Sequence, residues 1–256
     1  MKLLDNIRGH VLSAPWSWGF FFITLLLHIL WPLTEGSLQA ALTTLAVLTL
    51  AISSFSAALH NLGVKQALLM LLIVTALAFT IEKIGSTTGV PFGEYSYSEK
   101  LNPQLIGVPI AVVFAWFAMT WVMCVFVHDI KSSLIPKSII AGLLLTGWDF
   151  YLDPQMTSKQ YWIWHTTSPS LPGIPGIPLT NYLGWFLSGT FLAFIVLAIL
   201  QKVSVDRTLA KLVLLWTIVG GFILHAIFWR DLYVGLWGLL TMGALWISVE
   251  RLRRIS

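Results

Sequence analysis

Eight apolar runs parted by short polar breaks dominate the sequence, at 15–33, 37–59, 65–83, 105–127, 134–152, 180–200, 210–229 and 231–249. A helix needs about 20 mostly apolar residues to cross roughly 30 Å of hydrocarbon. Of the 256 residues, 57% are hydrophobic and only 10% charged, too few polar groups to clothe a water-soluble fold. The expectation is an all-α polytopic integral membrane protein, a helical bundle of about eight transmembrane spans making one domain over 1–256. The first run reads as a span rather than a cleavable signal, because it lacks a short apolar stretch with a small-residue exit. Two breaks, Thr34-Glu35-Gly36 and Trp229-Arg230-Asp231, are tight enough for helical hairpins, the second alternatively for a kink.

Basic residues are retained on the cytoplasmic side of a membrane. With both termini inside, 11 of the 15 Lys and Arg fall on inner segments: Lys2, Arg8, Lys65, Lys131, Lys137, Lys202, Arg207, Lys211, Arg251, Arg253 and Arg254. The remaining four, Lys83, Lys100, Lys159 and Arg230, fall outside. An odd number of spans would scramble this bias. The charge pattern therefore predicts a multi-pass protein of the cell membrane with cytoplasmic termini. The net charge of +4 is a topology signal and not a nucleic-acid surface.

That topology puts the two longest connections, 84–104 and 153–179, on the outer side. Both are rich in Gly, Pro and aromatic residues. Tyr95, Tyr97, Tyr161, Trp162 and Trp164 are costly to leave in water, so these loops are expected to fold back over the bundle or lie at the membrane interface.

Seven of the 11 acidic residues also fall on the outer side. An intramembrane carboxylate is expensive and needs a role or a partner. Glu82 ends the third run, Glu94 lies in the first long loop, and Asp149 sits about a turn inside the fifth run. Asp153 shares a helix face with Asp149 if the helix continues that far, although Pro154 favours termination there. Carboxyl groups gathered in an apolar, aromatic recess favour the neutral acid, which can donate a proton. The plainer alternative is that Glu82 pairs with Lys83 and Asp153 caps a turn.

Other chemistries find little support. His28, His60, His128 and His225 fall on different runs or run ends without metal-ligand spacing, so no metal is expected. Cys124 lies in an apolar run and reads as packing. No lysine lies in mid-span for a retinal Schiff base, and no phosphate-cradling Gly-rich loop or nucleophile elbow occurs. The 13 Trp include Trp116, Trp121, Trp148, Trp185 and Trp216 in the runs; such rings serve either as interface anchors or as the walls of a slot that stabilises a cation.

The stretches GVPFGEYSYSEKLNPQLIGVPI, GWDFYLDPQM, YWIW and GIPLTNYLGWFL resemble the carotenoid-biosynthesis membrane-protein family that contains carotenoid 1,2-hydratases and bisanhydrobacterioruberin hydratase. The resemblance covers about residues 80–190, with the flanking runs alike in hydropathy only. It implies a cofactor-independent hydratase that adds water to the terminal double bond of an acyclic carotenoid, giving a tertiary alcohol. Glu82, Glu94, Asp149 and Asp153 are the candidate proton donor and water-directing base, with Asp149 or Glu82 favoured as donor. Tyr95, Tyr97, Trp148, Trp162, Trp164 and Trp185 are the candidate substrate-binding walls, and Asn181 a group that orients water or a carboxyl. The implied partners are a lycopene-type C40 polyene, or a C30 or C50 one, together with water, membrane lipid and other enzymes of the pathway. A carotenoid-binding or transport protein without chemistry uses the same aromatic slot and stands as the alternative.

Overall fold

The computed structural model describes residues 9–255. Among them, eight long helices correspond one to one with the apolar runs: α1 (Pro15–Leu30), α2 (Gly36–Leu62), α3 (Val64–Thr88), α4 (Ile110–Val127), α5 (Leu134–Ser158), α6 (Leu179–Leu200), α7 (Thr208–Phe222) and α8 (Leu232–Ile255). Seven of them, α1 taken through Leu33 and α7 through Phe228, are long and apolar enough to cross a membrane. The exception is α5, which has the length but carries Lys137, Asp149 and Asp153. It packs against α4, α6 and α8, and Ala141, Leu144, Leu145 and Asp149 on it are fully buried. Polar residues are tolerated on such a helix because protein, not lipid, surrounds them. Lys2 and Arg8 of the charge count lie outside the described residues.

Both expected hairpins form. Thr24 and Thr49 join α1 to α2 at 2.9 Å, and Ser53 donates to the Ser17 carbonyl at 2.7 Å. The break at 229–231 is a turn rather than a kink. Arg230 adopts φ +57°, and the Asp231 carboxylate accepts the Val234 N–H at 3.2 Å, capping α8. A π-helical turn, Ile223–Phe228, ends α7 just before it. Lys211 near the start of α7 meets Glu250 near the end of α8 at 2.7 Å, so the two run antiparallel.

Lys159, after α5, lies over the rings of Trp31 and Trp229 at 5.6 and 5.9 Å. That contact, with the bond from Lys100 Nζ to Gln160 Oε1 at 2.9 Å, gathers both tight turns and the two long loops at one end of the bundle, the loop end. The opposite end is held by ions. Asp129 receives Arg207 and Arg253, and His10 lies 2.7 Å from Asp206.

Several boundaries differ from the expected ones, α3 running on to Thr88 and α8 to Ile255, and two of the differences bear on the site. The fourth run begins as a helix at Ile110 rather than at 105. Before it, β2 (Gln104–Leu105) and β3 (Val108–Pro109) form a hairpin turning at Ile106 and Gly107, both with positive φ. Leu105 to Pro109 is apolar enough to extend a hydropathy window, but its Gly and Pro belong to a turn. The fifth helix runs on through Pro154 to Ser158. A proline so near the C-terminus costs the helix a single backbone hydrogen bond, and Asp149 and Asp153 therefore do share a face.

Small residues let the helices and loops approach closely. A Cβ added at Gly142 of α5 would lie 2.1 Å from Thr190 Oγ1 of α6. The ring of Tyr151 fits between Gly221 of α7 and Gly238 of α8, where added Cβ atoms would meet it at 2.6 and 2.2 Å.

Candidate active site

The loops return over the loop end as a cap. In the first, β1 (Tyr95–Tyr97) pairs antiparallel with β4 (Trp162–Trp164) of the second, matching Tyr95 with Trp164 and Tyr97 with Trp162. Side chains alternate across a strand, so these four rings share one face, with Tyr95 and Trp164 5.0 Å apart and Tyr97 and Trp162 6.0 Å apart. Phe92 anchors the cap. It fills the gap between α3 and α6, where Cβ atoms at Gly85 and Gly184 would lie 2.7 and 2.5 Å from its ring. The remaining strands, β5 (Ser170–Leu171) and β6 (Ile174–Pro178), form a hairpin leading into α6.

Beneath the cap lies a cavity walled by α2, α3, α4, α5, α6 and both loops. Two carboxylates reach it. Glu82, in the last two turns of α3, is 4% exposed and accepts three hydrogen bonds. Tyr95 and Tyr97 donate to its Oε2, each at 2.6 Å, and Trp116 Nε1 donates to Oε1 at 2.7 Å. Burial, then the charge of Glu82, holds the Tyr95 and Tyr97 phenols well above their ordinary range, so both stay protonated donors.

Asp153 is the second carboxylate, 1% exposed. Trp162 Nε1 donates to its Oδ1 at 2.6 Å, and Trp164 Nε1 reaches both oxygens at 3.0 and 3.1 Å. Asn181, in the first turn of α6, spends one amide group on two acids. Its Nδ2 lies 2.7 Å from Oδ2 of Asp153 and 2.7 Å from Oδ2 of Asp149. Asp149 is fully buried behind the cavity wall, and its Oδ1 has no hydrogen-bond partner among the described residues. Two carboxylates bridged by a single amide in so dry a setting make simultaneous ionisation costly.

The aromatic wall completes the site. Trp116 and Trp185 stack at 4.0 Å, and Trp148, half-buried outside the cavity, meets Trp185 edge-on at 5.6 Å. A stacked indole pair beside two carboxylates presents ring faces and negative charge to one small volume, a setting that stabilises a positive centre.

Of the residues expected from sequence, Glu82, Asp153, Tyr95, Tyr97, Trp162, Trp164, Asn181 and Trp185 all line the cavity, and Asp149 joins through Asn181. Glu94 is not brought to the cluster. Its side chain is exposed on the cap, and its carbonyl accepts the His165 N–H at 2.8 Å. Trp116 and Phe92 were not among the expected site residues. Trp116, one of several indoles in the apolar runs, lies 34 residues from the Glu82 it meets, whereas Phe92 belongs to the GVPFGEY stretch that carries the resemblance. No group of His, Cys, Asp and Glu among the described residues has the arrangement of a metal site.

The family described as "Carotenoid biosynthesis protein" matches residues 38–249. A bisanhydrobacterioruberin hydratase of Haloarcula japonica is 30% identical over 204 residues, covering 71% of this chain and 64% of the relative. The chain thus aligns with somewhat less than two thirds of that relative's length. No solved structure matches the chain.

Proposed function

Since the chain belongs to the carotenoid biosynthesis protein family, we propose that it is a carotenoid hydratase, a multi-pass protein of the cell membrane with both termini in the cytoplasm. It adds water to the terminal double bond of an acyclic carotenoid without a cofactor. The observation that carries this reading is the placing of Glu82 and Asp153 on one apolar cavity beside the stacked Trp116 and Trp185.

The Asp149–Asp153 pair holds one proton between two acids, and Asp153 is the member that faces the cavity. Protonation of the less substituted alkene carbon turns the π bond into a C–H bond and leaves a tertiary cation. The indole faces and the Glu82 carboxylate stabilise that cation. Water adds to it through oxygen, and the proton that water sheds passes to Glu82, the cavity's other carboxyl group, set by its three hydrogen bonds. Transfer of that proton from Glu82 back to the aspartate pair closes the cycle, so the net reaction is addition of one water.

A second reading, carotenoid binding without chemistry, is favoured by one observation. The oxygens of Glu82 and Asp153 are already occupied by protein donors, as expected of charges that fasten a cap. Mass analysis of carotenoids in a pigment-producing host separates the two. The hydratase yields species heavier by one or two waters that vanish when the chain is absent. Unchanged carotenoid masses with folded protein present would leave only the binding reading.

A further inference from the structure

Accessible surface remains on both the cap and the helical walls of the cavity, but it differs in kind. Phe92, Leu101, Tyr95 and Trp162 of the cap are each less than a tenth exposed. Tyr97 and Trp164 keep some exposure, but their polar atoms are engaged by Glu82 and Asp153. Among the helical walls, Glu82, Trp116, Asp153, Asn181 and Trp185 are buried, whereas Val47, Val112, Ala115 and Leu152 keep accessible surface. All four are aliphatic. Three of them belong to the neighbouring helices α2 and α4. Those helices pack tightly farther down, where Ser54 donates to the Ala118 carbonyl and Phe55 meets Phe117 edge-on. Val47 lies 11 residues along α2, about 16 Å from the helix start at the helical rise. That is roughly the middle of a hydrocarbon layer about 30 Å thick.

We infer that the polyene enters sideways from the bilayer, through a window between α2 and α4 edged by Val47, Val112 and Ala115, and never passes through the cap. Small side chains at an aliphatic gap in mid-membrane admit a hydrocarbon and exclude a hydrated solute. The terminal isoprene unit then lies against Glu82, Asp153 and the indole pair, while the rest of the molecule trails into lipid. One visit therefore presents one end, and a second end is reached only after release and re-entry. The inference takes the class of its occupant from the hydratase reading, but its test does not depend on turnover.

Single cysteines at Val47 and Ala115 report the window. The native Cys124 is fully buried and serves as the background. Ile163→Cys, on the exposed side of β4, reports the aqueous face of the cap. In lipid nanodiscs, Val47→Cys and Ala115→Cys are expected to react with a bilayer-soluble maleimide and not with a charged methanethiosulfonate. Ile163→Cys is expected to react with both. Lycopene added to the lipid is expected to slow maleimide labelling at Val47→Cys and Ala115→Cys at least fivefold and to leave Ile163→Cys unchanged. Equal reaction of the window cysteines with the charged reagent, failure of the maleimide to label them, or labelling unaffected by lycopene would each overturn the inference. Protection by lycopene in a protein that hydrates nothing would uphold the window and remove the hydratase reading instead.

Discussion

The Tyr97 phenol donates to Oε2 of Glu82 at 2.6 Å, so a loop residue supplies one of the hydrogen bonds of an acid in the last two turns of a membrane helix. Tyr95 makes a second bond to the same oxygen at the same distance. The cap and the acid are thus parts of one structure.

Glu82→Gln preserves the shape and an oxygen that both tyrosines can donate to, while removing the charge. Hydration is expected to fall about 100-fold or more, the size typical of a lost acid–base group, with a modest drop in unfolding temperature because the new NH2 faces the Trp116 N–H. Carotenoid product ratios in cells, read together with thermal unfolding of purified protein, check both halves. Tyr97→Phe removes one hydrogen bond to a charged group, worth about 1.5–3 kcal/mol, and is expected to give a smaller loss of activity than Glu82→Gln.

Asn181→Leu strips one donor from each of two buried acids. The expected cost is about 2–5 kcal/mol, because the acceptors stay buried without a partner. Adding Asp149→Asn to that variant replaces one of the two acids by a neutral amide that supplies a new donor, and is expected to recover part of the loss. Unfolding of the single and double variants in one detergent measures the recovery.

Gly184→Ala sets a Cβ against the ring of Phe92 and is expected to displace the cap at a cost of about 1–3 kcal/mol. Phe92→Ala opens a void, costing about 3–5 kcal/mol. Together they should cost less than the sum, since the smaller side chain makes room for the added methyl. A double-variant cycle in unfolding free energy gives the coupling, and a purely additive result would separate Phe92 from that gap.

At the opposite end, Asp206 is set between α6 and α7. Burial raises its carboxyl pKa, but the Thr208 N–H and hydroxyl and the neighbouring His10 outweigh burial and hold it below the usual carboxylate range. A carboxyl depressed in the folded state contributes stability that is present above its unfolded pKa and fades as pH falls through its folded one. The stability advantage of the parent chain over Asp206→Asn is accordingly expected to be steady near neutrality and to shrink on acidification toward about pH 3. Unfolding temperatures of the two proteins over that range test it.

Hydropathy located the helices because a bilayer-sized apolar run has few other uses, and the error at 105–109 came from apolar residues used in a turn. Proline misled in the other direction, since Pro154 stands where α5 has almost finished. The acids were legible because charge is rare in such a chain, and the long loops because exposed indoles are costly. What the sequence did not reveal was the partnership itself. Strands of three residues, 65 positions apart, carry no periodic signal strong enough to predict their pairing. Without that pairing, Glu94 looked as eligible as Asp153. Trp116 likewise gains its role only once α3 and α4 lie side by side.

The way in which the two carboxylates are satisfied also sets an order of assembly. Helices alone supply Trp116 to Glu82, and Asn181 to Asp149 and Asp153. The other donors, two phenols and two indoles, come from the two loops. A bundle whose helices have inserted but whose loops have not docked therefore holds poorly solvated charge at its loop end, and loses that burden when β1 finds β4. The last step of folding and the completion of the site are one event.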